Sequence, residues 1–269
     1  MTGADGFIGR HFVTELQLRG YKLAIYDVVT GGDALELFRY GHGSLYQHDL
    51  VVHAAARSPH RAAIDGNPAS TIYNQHLDAA MFDWAVRTGQ GRVLYLSSCA
   101  AADAEPDDYG LLKLTGERMA GQARRAGLPV TVVRPYSGYG EDQSDLFPFG
   151  AFVARAKRRE DPFTIWGDGN QVRDWIHVDD VVMGALAMVE AGVDGPVDLC
   201  TGMSTTLREL AEMVCVQAGY SPTFAPQADK PSGAAVRVGN PDQMLEFYEP
   251  RVSLAEGVNR ALFFSRQPA

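Results

Sequence analysis

Cysteine and long apolar runs are both scarce in this 269-residue sequence, and each absence excludes a class of protein. The three cysteines (Cys99, Cys200 and Cys215) are odd in number and lack metal-ligand spacing, which predicts reduced thiols in a cytoplasm rather than a disulfide scaffold. No run of about 18 apolar residues occurs, so we expect no membrane span. No secretory signal is visible ahead of the first motif, which also favours a cytoplasmic location.

Clustered positive charge is scarce too. The net charge is −9, and the basic residues form no cluster beyond 157–159, which argues against a nucleic-acid partner. An anionic substrate would therefore depend on individual arginines. The remaining composition, with 46% hydrophobic and 21% charged residues, is that of an ordinary globular protein with a large core.

Short apolar runs alternate with helical patterns through the first half of the chain. The runs that predict buried strands lie at 23–26, 51–54, 93–96 and 130–133. The helical patterns between them lie at 10–19, 71–88 and 111–126. Strands that alternate with helices predict an α/β fold with a doubly wound, Rossmann-type parallel sheet.

After about residue 140 the pattern loosens, and helices are predicted at 147–159, 179–191 and 206–218. Short extended pieces and Pro/Gly turns separate these helices, which is typical of a smaller mixed α/β lobe. We therefore predict a dinucleotide-binding domain at 1–140, with about 172–202 returning to its sheet. Residues 141–269 would form mainly a C-terminal lobe that binds substrate.

A Gly-rich turn opens the chain, with Gly3, Gly6 and Gly9 spaced three apart before a helical pattern. Such glycines allow a tight turn, close approach of the backbone to a pyrophosphate and close helix packing, while the helix N-terminus favours the anion. The spacing alone also fits an ordinary loop. Asp27, at the end of the 23–26 run, favours a dinucleotide, because an acid there can accept hydrogen bonds from ribose hydroxyls and repels a 2′-phosphate. NAD is therefore predicted over NADP.

Tyr109 and Lys113 are four residues apart, so they share one face of the predicted helix. An ordinary tyrosine, with a pKa of about 10, is a poor base near neutrality. A neighbouring ammonium and the positive nicotinamide ring both favour the phenolate. Ser97 and Ser98 follow the 93–96 strand, at the edge where parallel sheets place their sites, and either serine would otherwise be a strand-end cap.

Two connections are shorter than a doubly wound sheet needs. A strand should precede the Gly-rich turn, yet the sequence starts at Met1. A parallel crossover takes a dozen or more residues, yet a plausible strand at 44–48 runs through Asp49 and Leu50 directly into 51–54. We expect that segments are missing before Met1 and near 50/51.

Taken together, these motifs resemble those of the extended short-chain dehydrogenase/reductase family, in its NAD-dependent sugar-nucleotide epimerase/dehydratase branch. The motifs that occur in family order are T-G-x-x-G-x-x-G at 2–9, Asp27, H-A-A-A at 53–56, S-S at 97–98, Y-x-x-x-K at 109–113, R-P-Y-S-G-Y-G at 134–140, G-D-G-N-Q-V-R-D at 167–174 and I-H-V-D-D at 176–180. The family normally has longer connections at the two short points named above and a longer separation between Ser98 and Tyr109. The resemblance therefore implies that a segment is missing between Ser98 and Tyr109 as well.

The resemblance implies a role for each matching residue. Ser98 would supply the catalytic hydroxyl, Tyr109 the base and Lys113 its partner. The implied NAD-binding residues are Gly3, Gly6, Phe7, Ile8, Gly9, Asp27, Asp49, Leu50, Ala54, Ala55, Ala56, Tyr109, Lys113 and Pro135. Among these, Asp49 and Leu50 would flank the adenine, and Ala54 and Ala55 would line the dinucleotide.

Arg173 and Arg237 are the candidate ligands of a substrate diphosphate, which favours bidentate guanidinium contacts. Ordinary surface salt bridges are the alternative, more plausible for Arg237 than for Arg173. The family often has Asn where this chain has Ser137, so the substrate pose is expected to differ. His177, Asp179 and Asp180 look like a metal cluster, but we interpret them as capping a helix that begins at Val181, and no metal is predicted.

The resemblance implies oxidation at C4 of a nucleotide-diphosphate sugar and, in an epimerase, return of the hydride to the other face. We predict a 4-epimerase similar to UDP-glucose 4-epimerases, in a homodimer. A 4-ketoreductase or decarboxylase remains open, and a 4,6-dehydratase is disfavoured because Cys99 and Ala100 stand where dehydratases have acids. A non-catalytic NAD-sensing protein is the alternative from another class, although such proteins typically lose the Tyr/Lys pair.

Overall fold

A computed structural model describes residues 1–41, 43, 46–57, 68–230 and 233–264. The α-helices of these ranges are α1 (Phe7–Leu18), α2 (Ala34–Tyr40), α3 (Pro68–Thr88), α4 (Asp108–Arg125), α5 (Pro148–Lys157), α6 (Val178–Glu190), α7 (Leu207–Gln217), α8 (Asp242–Leu245) and α9 (Leu254–Phe263). The strands are β1 (Leu50–His53), β2 (Arg92–Leu96), β3 (Val130–Pro135), β4 (Gly138–Tyr139), β5 (Phe163–Trp166), β6 (Val172–Arg173), β7 (Ile176–His177), β8 (Val197–Leu199), β9 (Thr205–Thr206), β10 (Phe224–Gln227) and β11 (Val236–Arg237).

The central sheet has the strand order β1-β2-β3-β8, and all its pairings are parallel. Beyond β1, Thr2 forms single bridges to His53 and to Tyr26, which extends the sheet by two very short neighbours. Apolar residues of β1, β2 and β3 alternate between the two faces of the sheet, and each face is buried under helices. This layered arrangement confirms the predicted doubly wound α/β fold.

The strand prediction for 51–54, 93–96 and 130–133 is confirmed by β1, β2 and β3. The prediction of a buried strand at 23–26 is wrong, because this segment is extended with one bridge at Tyr26, and Ile25 is 39% exposed. Thr2 is its neighbour on one side, so the segment lies at an edge of the described sheet. In the predicted strand at 44–48, residues 44 and 45 lie outside the described residues, and Tyr46–His48 form no strand.

The second half of the chain divides between the main sheet and a smaller layer. Strand β8 pairs with β3, and helix α6 packs against α1 beside that sheet. The smaller layer has its own apolar core, in which helices α5, α7 and α9 meet strand β5. Small sheets of the order β11-β6-β9 and β4-β7 connect the two parts. The domain limits proposed above remain predictions.

Within the described part of the chain, no helix combines the length and apolar character that crossing a membrane requires.

Candidate active site

The Gly-rich turn is packed so closely that side chains cannot enter it. Gly3 has a φ of +70°, and a Cβ on it would lie 2.5 Å from the carbonyl carbon of Ala54. A Cβ on Gly9 would lie 1.9 Å from the carbonyl oxygen of Gly3. Both positions therefore require glycine, which has no Cβ and adopts positive φ without strain. The backbone is left bare at this turn, as a pyrophosphate cradle needs.

Helix α1 starts directly after this turn, with Gly6 at its N-cap. Gly6 makes no side-chain cap, so the first-turn N–H groups, among them those of Phe7 and Ile8, meet no capping side chain. Free N–H groups and the helix dipole favour a bound anion at such an end. The residues at the turn thus fit the diphosphate of NAD.

Asp27 borders the same turn. Its carboxylate accepts hydrogen bonds from the backbone N–H of Asp5, at 3.0 Å, and of Val29, at 2.9 Å. Asp5 belongs to the Gly-rich turn itself, so the acid lies beside the cradle, where ribose hydroxyls would be recognised. Ala54, whose N–H donates to the carbonyl of Thr2 at 3.1 Å, leads Ala55 and Ala56 along the other side of the turn.

Asp49 and Leu50 lie elsewhere. Leu50 is the first residue of β1, whereas Ala54, beside Gly3, follows its last residue. At about 3.3 Å per residue, these two ends are more than about 10 Å apart. Asp49 and Leu50 therefore lie away from the Gly-rich turn. No crossover separates Asp49 from β1, so the chain runs from Asp49 straight into the strand.

Ser97 and Ser98 follow β2 but have different surroundings. Ser97 is buried, and its hydroxyl donates to Glu117 Oε1 at 2.5 Å. Ser98 is half-buried, and its Oγ accepts from the N–H of Ala100 at 3.2 Å, where it caps the 3-10 turn Cys99–Ala102. The second serine is therefore the one whose hydroxyl borders the open side of the strand end.

Lys113 is 6% exposed and reaches the same strand end from helix α4. Its Nζ donates to the carbonyl of Leu96 at 2.9 Å and lies 5.0 Å from the centre of the Tyr95 ring. Tyr109 lies one turn earlier on α4 and is half-buried. The helix thus brings Lys113 to the carbonyl of the last residue of β2, two residues before Ser98.

Gly110, the residue after Tyr109, makes this approach possible. A Cβ at Gly110 would lie 2.4 Å from the carbonyl oxygen of Ala100 and 2.8 Å from Cβ of Pro106. Asp107 caps the helix through its carboxylate, which accepts from the N–H of Gly110 at 2.8 Å. The connection between Ser98 and Tyr109 is short, and it is folded tightly against the first turn of α4.

A buried polar network that the sequence analysis missed joins the turn to Lys113. The Thr2 hydroxyl and the Nδ1 of His53 are 2.8 Å apart, and His53 Nε2 is 3.1 Å from Asp78 Oδ1. The hydroxyl of Tyr95 donates to Asp78 Oδ2 at 2.5 Å. Burial would raise the pKa of Asp78, but the charge of Lys113 and the bonds from His53 and Tyr95 outweigh it and lower that pKa. Asp78 thus provides a buried negative charge near Lys113.

Tyr95 has its pKa raised well above the ordinary value, first by burial and then by Asp78. Tyr95 therefore stays protonated and acts as a hydrogen-bond donor. No motif of the sequence marks Asp78, which lies in the interior of α3. The only available signal was an acid on the helix face that also bears the buried residues Leu77 and Met81.

A second network lies behind Ser97. Arg134 makes two hydrogen bonds to Glu117, from Nε at 2.7 Å and from a terminal nitrogen at 2.6 Å. Asp198 lies 3.8 Å from Arg134 and accepts from the hydroxyl of Tyr136 at 3.1 Å. This chain of contacts fixes Ser97, the first residue after β2, and the end of β3, where Pro135 lies.

Arg173 and Arg237 come together on paired strands. They are direct partners in the parallel pairing of β6 with β11. Arg237 forms an ion pair with Asp103, at 2.6 Å, and lines a cavity of about 470 Å³ together with Cys99, Asp103 and Tyr136. Burial and the charge of Arg237 lower the pKa of Arg173. A guanidinium group that lines a cavity and has a second one on the neighbouring strand suits an anionic group of a ligand.

Ser137 follows Tyr136, which lines this cavity, and immediately precedes β4. The interpretation of His177 as a helix cap is confirmed, but the predicted start at Val181 is wrong, since α6 begins at Val178. The Nδ1 of His177 accepts from the N–H of Asp179, while Asp180 accepts from Tyr248 and from two backbone N–H groups. Across the described ranges, no group of three or more His, Cys, Asp or Glu side chains is arranged to hold a metal.

Comparison with known proteins now identifies the family. The sequence model described as "NAD dependent epimerase/dehydratase family" matches residues 1–199. The chain belongs to this family. Membership confirms the family predicted from the motifs and the cofactor, NAD, predicted from the Gly-rich turn and Asp27.

Curated relatives span nearly the whole chain. The chain is 30% identical over 297 residues to dTDP-4-dehydro-6-deoxy-D-allose reductase of Streptomyces bikiniensis, with 93% of this chain and 91% of the relative covered. It is 29% identical to UDP-glucuronic acid decarboxylase 1 of Arabidopsis thaliana, with 97% of this chain and 68% of the relative covered. The first alignment is longer than the 269 residues of this chain, so that relative has residues this chain lacks.

The fold is shared with solved members of the family. UDP-glucose 4-epimerase of Thermotoga maritima, solved with UDP-glucose, is 25% identical and superimposes with a TM-score of 0.83, with 97% of this chain and 96% of that chain covered. The relatives thus include epimerases, reductases and decarboxylases. They support an enzyme of the sugar-nucleotide class without selecting one of these activities.

Proposed function

We propose that the chain is an NAD-dependent 4-epimerase of a nucleotide-diphosphate sugar. The observation that carries the proposal is the position of Lys113, whose Nζ bonds to the carbonyl of Leu96 at the edge of the sheet where Ser98 follows. Tyr109 precedes it by one helical turn. Ser98 and Lys113 therefore lie at one strand end, at the edge of the sheet that also bears the Gly-rich turn, and we expect the phenol of Tyr109 beside them.

Each of these side chains has a distinct task. NAD, when bound, accepts hydride from C4 of the sugar and later returns it. Tyr109 takes the proton of the sugar 4-hydroxyl, and the charge of Lys113 favours the phenolate that this requires. Ser98 binds the substrate oxygen through its hydroxyl. After the sugar turns over, Tyr109 returns the proton to O4.

The proposed substrate class rests on the arginine pair. Arg237 lines a cavity of about 470 Å³, within the usual range for small-molecule sites, and Arg173 is its direct partner on the neighbouring strand. A diphosphate offers enough oxygens for bidentate contacts with both guanidinium groups. The complex of the Thermotoga maritima relative with UDP-glucose supports this substrate class.

A 4-ketoreductase is the second candidate, and it is favoured by the Streptomyces bikiniensis reductase, at 30% identity over 93% of this chain. Dehydration is disfavoured because Cys99 and Ala100, both buried, follow Ser98 directly. A non-catalytic NAD sensor is disfavoured because Tyr109 and Lys113 are both present. The homodimer and the cytoplasmic location remain predictions.

The proposal is tested by the variant Tyr109→Phe. It should lose turnover of UDP- and dTDP-linked hexoses by at least about a hundredfold, as expected when a general base is removed, while NAD binding is unchanged. Turnover is measured by chromatography of the sugar epimers, and NAD binding by calorimetry. A folded Tyr109→Phe variant with normal turnover would exclude Tyr109 as the base.

The same assay separates the candidate activities when 4-keto sugar nucleotides and NADH are added to the panel. An epimerase converts its substrate with no net change in bound NAD, whereas a ketoreductase consumes one NADH for each product molecule. Loss of NADH absorbance in proportion to product would overturn the epimerase in favour of the reductase. Tight NAD binding with no turnover of any nucleotide sugar in the panel would support the sensor.

A further inference from the structure

Arg237 is already engaged by an anion of the protein itself. Its Nε lies 3.1 Å, and a terminal nitrogen 2.6 Å, from Oδ2 of Asp103. The two side chains are 18% and 21% exposed, so the pair is partly exposed to water. Asp103 belongs to the segment that joins Ser98 to Tyr109, whereas Arg237 lies in β11, far along the chain. The ion pair therefore joins two walls of the cavity that are distant in sequence.

Asp103 acts on both arginines of the site. Its charge raises the pKa of Arg237 and opposes the lowering of the Arg173 pKa that burial and Arg237 cause. Two cations on adjacent strands repel each other, and an anion that lies beside them reduces this repulsion. A substrate diphosphate at this place would have the same effect, and it would compete with Asp103 for the same guanidinium group.

We propose that Asp103 is an internal counter-anion of the Arg173–Arg237 pair, which the diphosphate of the substrate displaces when it binds. The inference rests on the proposed function and names what the substrate must do at its own site. A diphosphate has more charge and more acceptor oxygens than one carboxylate, so it can displace Asp103. A more weakly binding anion, such as inorganic phosphate, gains less binding free energy at the two arginines and therefore does not displace Asp103. Asp103 thereby sets the affinity and the selectivity of the site for diphosphates.

Displacement of Asp103 from Arg237 would also affect the helix that bears Tyr109. The nitrogen of Arg237 that binds Asp103 lies 3.8 Å from Oδ2 of Asp107. The other oxygen of Asp107 caps α4 at Gly110, directly after Tyr109. Movement of Arg237 toward a diphosphate therefore changes the charge at the start of the helix that bears Tyr109.

The test is the binding of UDP and of dTDP to the NAD-loaded protein, measured by isothermal titration calorimetry. Asp103→Asn keeps the size of the side chain and removes its charge. We expect it to bind the diphosphates about tenfold more tightly than the wild type, which corresponds to about 1.4 kcal/mol. We also expect inorganic phosphate to bind Asp103→Asn measurably more tightly. Asp103→Ala, which removes the acceptor as well, should also bind the diphosphates more tightly than the wild type.

Asp83→Asn is the matched control. It causes the same change in net charge and breaks a salt bridge to Arg87 on helix α3, which does not line the cavity. It should leave diphosphate and phosphate affinity unchanged. An equal gain in Asp83→Asn would assign the effect to net charge and overturn the role of Asp103.

Failure of the inference differs from failure of the proposed function. If the wild type binds the diphosphates and both Asp103 variants, folded by thermal denaturation, bind them no more tightly, the counter-anion is refuted while the substrate class stands. If neither the wild type nor the variants bind any diphosphate, both are refuted. Binding only by the Asp103 variants would support the inference.

Discussion

The Gly-rich turn and the cavity lined by Arg237 both suit a diphosphate, but different groups shape the two sites. At the turn, close backbone contacts shape the site, and a Cβ on Gly9 would lie 1.9 Å from the carbonyl of Gly3. At the cavity, side-chain charges shape the site, and Arg237 is paired with Asp103. One site is preformed by packing, whereas the other is held by an ion pair that a ligand can exchange.

This difference indicates how each site tolerates change. Packing in an interior is dense, so an added atom at the turn must displace backbone. A partly exposed ion pair contributes little to stability, so its loss should alter binding more than folding. Cofactor binding and folding should therefore fail together at the turn, whereas substrate affinity should vary independently at the cavity.

The largest expected effect is that of Gly9→Ala. The added methyl group must push the Gly3 carbonyl out of the turn, so we expect about a hundredfold weaker NAD binding and a loss of about 3 kcal/mol of unfolding free energy. Calorimetry and urea denaturation measure the two quantities. Gly121→Ala, in α4 where a Cβ meets only arginine side-chain ends at 3.9 Å or more, is the control and should not destabilise. Normal NAD affinity in Gly9→Ala would contradict a preformed cradle.

A smaller effect is expected from Asp78→Asn, which should lower the unfolding free energy by about 2 kcal/mol, because bonds from His53 and Tyr95 to a buried charge are weakened. Asp103→Asn should change it by less than about 1 kcal/mol. Urea denaturation of both variants in the same buffer tests the contrast directly. Equal destabilisation by the two would show that the cavity pair is as structural as the buried network.

The smallest effect concerns the ion pairs that His11 forms with two carboxylates. His11, on α1, lies 3.1 Å from Asp142 and 3.4 Å from Asp179. Burial alone would lower the pKa of His11, but these carboxylates outweigh it and raise the pKa to about 9. The charged form is thus favoured in the folded state. Its stabilisation is complete below the ordinary value of 6.5 and is lost as pH rises through about 9.

We therefore expect the unfolding free energy of the wild type to exceed that of His11→Gln near pH 6, with the difference vanishing above about pH 9. The full pKa shift would correspond to about 3 kcal/mol, but water screens these partly exposed charges, so we expect a difference of about 1 kcal/mol. Thermal denaturation of both proteins across this range measures it. Arg10, which also pairs with Asp142, remains in both proteins and keeps the comparison specific to His11. A difference that does not depend on pH would mean that His11 acts through packing alone.

Much of the fold could be predicted because continuous apolar runs mark strands covered on both faces. The runs at 51–54, 93–96 and 130–133 became β1, β2 and β3 for this reason. The run at 23–26 has the same composition but a different outcome. Its described neighbour is a single bridge at Thr2, and hydrophobic pattern alone cannot report how many strands will flank a segment.

The site was predictable where local spacing determines geometry. A four-residue interval on a helix placed Tyr109 and Lys113 together, and glycine spacing placed the turn. Asp103 and Asp78 have no such pattern, because their partners are distant in sequence and meet them only through the tertiary fold. Asp49 and Leu50 are the opposite case. The resemblance implied that they flank the adenine, but the connection in this chain is shorter, so they lie at the end of β1 that is away from the Gly-rich turn.

Gly110 has a consequence for engineering this chain. A helix glycine is an obvious position to replace with alanine when thermal stability is selected, since helix propensity improves by about 1 kcal/mol. Here the missing methyl group is what lets the first turn of α4 rest against the carbonyl of Ala100, 2.4 Å from where a Cβ would lie. Because this clash costs more than the gain in helix propensity, a screen for heat resistance and a screen for turnover should both retain glycine at this one position.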